Sequence, residues 1–151
     1  MDNIIQIFAA FVGCFGAAFV FRISKNIDFA FMGSLVGAIG WSVYLSTAHF
    51  NNPFFQSFIA MFCISIISEV LARVMKAPAI IFIMIGFFPL VPGSGIYYTM
   101  LYAVQGQSAL FMESFITTLG TSLSLAFAIL LSSTVFHIHK RIKNKDYAPV
   151  E

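Results

Sequence analysis

Four stretches of this chain contain no Asp, Glu, Lys or Arg: Asn3–Phe21, Phe29–Ser68, Ala77–Met112 and Ser114–His139. An uncharged apolar run of about 20 residues is long enough to carry a helix through the hydrocarbon core of a bilayer, at about 1.5 Å of rise per residue. A small soluble chain cannot accommodate four such runs, because most of its surface faces water and has to be covered by polar groups. Here 9% of 151 residues are charged and 60% are hydrophobic, against roughly 25% and 45–50% in soluble domains. The fold class is therefore all-α, a polytopic helical bundle embedded in a membrane. Disorder, a disulfide scaffold and a nucleic-acid module are excluded on the same grounds. The net charge of +2 comes from a few basic clusters, with no basic stripe interleaved with stacking aromatics, so no nucleic-acid partner is expected.

The first and last runs hold one span each, at about residues 4–21 and 114–138. The second holds two, about 29–48 and 54–72, divided at His49-Phe50-Asn51-Asn52-Pro53, where the proline suits the first turn of the next helix. The third, about 78–104, has room for one broken span or two half-spans, and charge decides between them. If it crosses once, all eight basic residues fall on one side of the membrane. Arg22 and Lys25 then lie between spans one and two, Arg73 and Lys76 between three and four, and Lys140, Arg141, Lys143 and Lys145 beyond the last. The positive-inside rule selects that arrangement. A single domain over residues 1–151 is expected, with five spans, the N-terminus outside and a short cytoplasmic tail over 140–151. Asp2 before the first run and Arg22 after it suit an outward-facing anchor and not a signal peptide.

Small residues mark the faces on which the spans pack. Gly33, Gly37 and Gly40 share one side of span two; Ser57, Ser65, Ser68 and Ala72 recur along span three; Thr117, Thr121, Ser124, Ala128 and Ser132 recur along span five. Such faces let helix backbones approach where lipid supplies no hydrophobic drive, and the hydroxyl face of span five could also line a solute path. Cys14 and Cys63 sit inside apolar runs and read as small buried hydrophobes, with neither disulfide nor metal expected. The nineteen phenylalanines read as lipid-facing bulk. Glu69 lies four residues before Arg73, the favourable order for a helical ion pair near the inner interface, structural or coupled to transport. Glu113 favours the amino end of span five. No carboxylate pair, Ser/His/Asp set or metal cluster shares one membrane depth, so no enzyme and no cofactor are expected.

Span four carries the most information. After Pro78 it runs through Gly86 into Pro89-Leu90-Val91-Pro92-Gly93-Ser94-Gly95 and resumes at Ile96-Tyr97-Tyr98. Two prolines three residues apart remove two backbone donors and clash with the preceding turn, so the helix is expected to break near the bilayer centre. Irregular backbone at that depth is tolerated only when buried in protein or lining a wet cavity. Secondary transporters hold solute at such breaks, with a carboxylate received by the amino end of the second half-helix and a cation by carbonyls ending the first. Gly93, Ser94 and Gly95 would supply the amides, and Ser94, Tyr97 or Tyr98 a hydroxyl. Pro89 and Pro92 would shape the gate.

The stretch from Glu69-Val70-Leu71-Ala72-Arg73 through Lys76-Ala77-Pro78, Gly86, Pro89-Leu90-Val91-Pro92-Gly93 and Tyr97-Tyr98-Thr99-Met100 resembles the threonine/serine exporter family. It is similar to the small membrane subunit of the split, two-component form, equivalent to the C-terminal half of fused members. The resemblance implies a ten-span exporter driven by ion gradients, in which this chain works with a large partner subunit. Threonine and serine are the implied solutes, with succinate an alternative seen in some two-component relatives. Pro78, Gly86, Pro89, Pro92, Gly93 and Tyr97 match the family motif. A non-transporting scaffold subunit is the competing reading of the same residues.

The charge distribution makes a direct prediction. A cysteine at Asn51 or Gln107 should react with an impermeant thiol reagent added to intact cells, and one at Asn144 only after lysis. Labelling of Asn144→Cys from outside would overturn the five-span topology.

Overall fold

In a computed structural model of the protein, residues 2–22 and 27–145 are described; Lys25 and residues 146–151 of the expected tail lie outside them. The described residues form helices α1 (Asp2–Val20), α2 (Ile27–Ser46), α3 (Pro53–Val74), α4 (Ala79–Gly86), α5 (Gly93–Val104) and α6 (Ser108–Lys145). Short 3-10 turns at Thr47–Phe50 and Phe88–Leu90 link α2 to α3 and α4 to α5. Four helices are long and apolar enough to cross a membrane, and α4 and α5 make a fifth crossing if their bent pair, at 42° to one another, counts as one.

Local chemistry sets the boundaries. Asn52 caps α3, its side-chain oxygen accepting from the amides of Phe54 at 3.1 Å and Phe55 at 3.4 Å, with Pro53 in the first turn where its missing N–H costs nothing. Gly106 takes a φ of +70° in the tight turn between α5 and α6, a conformation that a side chain would strain. No proline interrupts the chain from Ser108 to Lys145. As a result α6 runs past both ends of the expected span 114–138, and residues 140–145, the first part of the expected tail, are helical. At 38 residues it is about 57 Å long, well beyond a hydrocarbon core of roughly 30 Å.

Helix α2 is the hub: it packs on α1, α3 and α4. Its expected small-residue face is where those contacts form. A methyl on Gly37 would collide with Cys14 of α1 and come within 3.2 Å of the Gly86 carbonyl oxygen of α4, while one on Gly40 would collide with Ile64 of α3. Val36, Ala60, Met61, Ile64, Ile83, Leu90, Leu125 and Ala128, from α2, α3, α4, α6 and the 3-10 turn after α4, form the main core.

Register shows how the chain traverses the bundle. Phe54, at the start of α3, meets Gly120, and Arg73, at its end, lies over the ring of Phe136. Helices α3 and α6 therefore run parallel, so the segment between them must carry the chain from one end of α3 back to the other. Helices α4 and α5 do this together, as one broken crossing. Parallel α3 and α6 also bring Arg22, Arg73, Lys76 and the last turns of α6 to the same end of the bundle. The Arg73 guanidinium carbon sits 4.8 Å from the Phe136 ring centroid. The aromatic face of α6 thus engages this cation, a partner that the Glu69–Arg73 spacing does not suggest.

The glycine contacts predict a stability effect. Gly40→Leu should destabilise the folded protein by about 1–3 kcal/mol or more through overpacking against Ile64, read as a lower thermal midpoint in detergent and a lower membrane level. Gly13→Leu is the control, because a methyl there meets nothing within 4 Å. Equal stability of the two variants would contradict the packing assigned to α2.

Candidate functional site

The site follows from the two prolines. Helix α4 stops at Gly86, which sits against Ile64 near the middle of α3. Beyond it the α-helical ladder fails, since Pro89 and Pro92 have no N–H to give. Shorter bonds replace it: the Leu90 amide donates to the Phe87 carbonyl at 2.8 Å and the Gly93 amide to the Val91 carbonyl at 2.6 Å. Helix α5 then begins at Gly93 with Pro92 as an N-cap that offers no side-chain acceptor. Its early amides lack intrahelical partners and carry the positive end of the helix dipole.

The irregular segment forms one wall of a cavity of about 220 Å³, lined by Pro89 to Pro92, Ser94 and Gly95 together with Trp41 and Tyr44 of α2, Ser57 of α3, and Thr117, Thr118 and Thr121 of α6. That is smaller than the roughly 300–1,000 Å³ of pockets for drug-sized ligands, and suits a solute of a few heavy atoms. No Asp, Glu, Lys, Arg or His is among the lining residues. The polarity comes from hydroxyls, an indole and backbone.

Donors and acceptors are distributed unevenly around the cavity. Thr117 donates to the Glu113 carbonyl at 2.9 Å, Thr118 to Ser114 at 2.7 Å and Thr121 to Thr117 at 3.0 Å. Their hydroxyl hydrogens are turned back onto α6, which leaves oxygen lone pairs for the cavity. Trp41 has the opposite character. Its ring stacks on Tyr44 at 5.2 Å, and its indole N–H, a group that can only donate, is buried without a partner among the described residues. Acceptors line the α6 wall, while the Ser94 and Gly95 amides opening α5 supply donors; the Trp41 ring lines the cavity with its indole nitrogen buried beside it.

Four of the seven residues expected at the site line the cavity: Pro89, Pro92, Ser94 and Gly95. Gly93, Tyr97 and Tyr98 do not. The two tyrosines are exposed on α5, 62% and 48%, and pack on each other at 5.4 Å. A methyl on Gly93 would meet nothing within 4 Å, whereas one on Gly95 would collide with Thr118. Close approach therefore falls on the second glycine, where α5 meets α6. Thr99 reinforces that junction, donating to the Gly95 carbonyl at 2.7 Å and lying 3.2 Å from the Ser114 hydroxyl. Both glycines belong to the first turn of α5 and not to the break, which runs from Phe87 to Pro92. Sequence reading missed Trp41, Tyr44, Ser57 and Thr118 as site residues. The available signal was Trp41, the one tryptophan of the chain, an N–H donor placed deep in an apolar span.

The family profile described as Threonine/Serine exporter, ThrE, matches residues 6–135, a stretch that includes every cavity residue. No curated protein and no solved structure matches the chain. With the profile covering most of the sequence and the helical bundle in agreement, the chain belongs to the threonine/serine exporter family.

Proposed function

We propose that this chain is the solute-holding membrane subunit of a secondary exporter of threonine and serine, and that the cavity at the broken span is its solute site. The observation that carries this reading is the cavity's lining, which sets hydroxyls and backbone among apolar side chains and contains no Asp, Glu, Lys, Arg or His. A small hydroxy amino acid is a zwitterion, charged at both ends and neutral overall. Its carboxylate suits the Ser94 and Gly95 amides of α5 and, on a turn of the ring, the unpaired Trp41 indole, and its ammonium and hydroxyl suit the threonine oxygens of α6. Succinate, the alternative solute, carries two negative charges and would enter with no cationic side chain to meet them, a costly desolvation. The topology proposed for this function has the N-terminus outside and the basic end of the bundle in the cytoplasm.

A larger partner subunit completes the exporter in this reading. Midplane transport sites are commonly built between two repeats, each with a broken helix, and this chain contains one break. The α5–α6 hairpin also extends past its neighbours. Gly120 is level with the start of α3, while α6 begins twelve residues earlier at Ser108, so about 18 Å of helix reaches beyond α3. Its apolar residues, among them Tyr97, Met100 and Val104, are uncovered within this chain. A second membrane protein seated there would bury them and close the cavity.

Two experiments test the proposal. In cells expressing both subunits, Trp41→Phe should keep the stack on Tyr44 and raise the apparent KM for threonine roughly 10- to 100-fold, the loss expected for one hydrogen bond to a charged acceptor. Gly95→Val should separate α5 from α6 and abolish export, with Gly93→Ala near wild type. An unchanged KM in Trp41→Phe would remove the indole from the site. Reconstituted alone in liposomes, the chain should show no threonine flux, and flux should appear once the large subunit is added. Saturable flux from this chain alone would refute the need for a partner.

A further inference from the structure

Hydroxyl side chains in the described helices mostly close onto their own backbone. Ser34 donates to the Ala30 carbonyl at 2.6 Å, Ser42 to Ala38 at 2.8 Å, Ser124 to Gly120 at 2.9 Å and Thr134 to Leu130 at 2.7 Å. Ser65 and Ser68 of α3 and Ser132 of α6 differ. They are 1%, 0% and 1% exposed, and their hydroxyl oxygens have no hydrogen-bond partner among the described residues. Serine is small enough to pack here, but alanine would pack as well without burying an unpaired polar group, so close approach by itself does not call for the hydroxyls.

Register places the three in one layer. Ser68 lies five residues before Arg73 and Ser132 four before Phe136, and Arg73 and Phe136 are the residues in contact where α3 and α6 run parallel. Ser65 lies one turn before Ser68 on the same helix. At the level of the cavity, α3 and α6 present Ser57 and Thr121. Between the two polar levels stand Met61, Ile64, Leu125 and Ala128, buried and apolar. Followed along its length, the seam is hydroxyl-bearing, then apolar, then hydroxyl-bearing again. It ends beside half-buried Glu69 and exposed Arg73, at the basic end of the bundle.

We propose that Ser65, Ser68 and Ser132 form a second polar station for the exported solute, separated from the cavity by the Met61–Ile64–Leu125 layer, and that the solute passes along the α3–α6 seam between them. This rests on the reading of the cavity as the solute site. The present structure holds the seam closed, with the three serine hydroxyls buried and without a hydrogen-bond partner among the described residues. When α3 and α6 part, each hydroxyl can donate and accept, which suits a small solute carrying both kinds of group. Glu69, four residues after Ser65, offers a carboxylate to an ammonium as the solute passes. A dianion would find no cation among the three serines.

The test uses the complete exporter, with its large subunit, in membranes. The triple variant Ser65→Ala, Ser68→Ala, Ser132→Ala should lower the maximal rate of threonine export at least fivefold. Threonine affinity at the cavity should stay the same, and the thermal midpoint should be equal or higher, because the change removes unpaired buried hydroxyls. Wild-type export by this variant would overturn the proposal, since a purely structural role predicts that result. A second readout does not depend on export. In a background with Cys14 and Cys63 replaced by Ala, Ser132→Cys should react with a small methanethiosulfonate reagent, and saturating threonine should change the rate. A thiol that never reacts, or is indifferent to threonine, would also overturn it. Absence of threonine export by the wild-type exporter would count against the cavity's assignment and leave the Ser132→Cys result standing by itself.

Discussion

The contact between Gly37 of α2 and Gly86 of α4 governs the rest of this structure. Neither residue has a side chain, so the two helices approach until the Gly86 carbonyl lies within 3.2 Å of where a Gly37 methyl would stand. Such an approach stabilises a helix pair in lipid, where packing has to replace the hydrophobic drive available in water. It also fixes the depth at which α4 ends. Gly86 is held against Ile64 near the middle of α3, and Pro89 and Pro92 follow at once. A helix broken at that depth has polar backbone to satisfy, and the cavity forms where it is satisfied.

The rest of the site is a consequence of that placement. Once α4 stops, the irregular segment brings the chain to the level of the start of α3, and α5 continues from there against α6, pinned by Gly95 under Thr118 and by Thr99 beside Ser114. The threonines of α6 then face the break with their hydrogens already committed to α6 carbonyls. The Trp41 indole is left with no acceptor among the described residues. A site assembled from neutral donors and acceptors can recognise a zwitterion without fixed charges, which would be expensive to bury at this depth. The same economy of charge extends along the buried part of the α3–α6 seam, where Ser65, Ser68 and Ser132 supply the polar character before Glu69 and Arg73 at its end.

Much of the fold is legible in the order of residues. Long uncharged runs announce the spans, the glycine face of α2 announces its packing, and the Pro-x-x-Pro-Gly-x-Gly segment announces a break. These features share one physical basis: in lipid, hydropathy, proline and glycine act locally, on helices whose backbone hydrogen bonds all lie within the segment. The break itself shows where local reading stops. Two glycines after two prolines look equivalent in sequence, yet Gly95 is packed under Thr118 and Gly93 faces open space. The tyrosines that follow look suited to a site and point away from it. Glu69 and Arg73 have helical spacing for an ion pair, but Phe136, from a helix more than sixty residues later, takes the guanidinium.

By itself, then, the sequence determined that this chain is a bundle of apolar helices with its basic residues grouped and its fourth crossing broken, because each of these follows from composition within a single segment. Only the tertiary structure decided which residues surround the break. Trp41, Ser57 and Thr118 come from three different helices and share no spacing with Pro89 that a reader of the chain could recognise. Their convergence depends on the parallel run of α3 and α6 and on the depth at which Gly86 meets Gly37. Both are properties of contacts between helices far apart in sequence, and no periodicity within one helix encodes them.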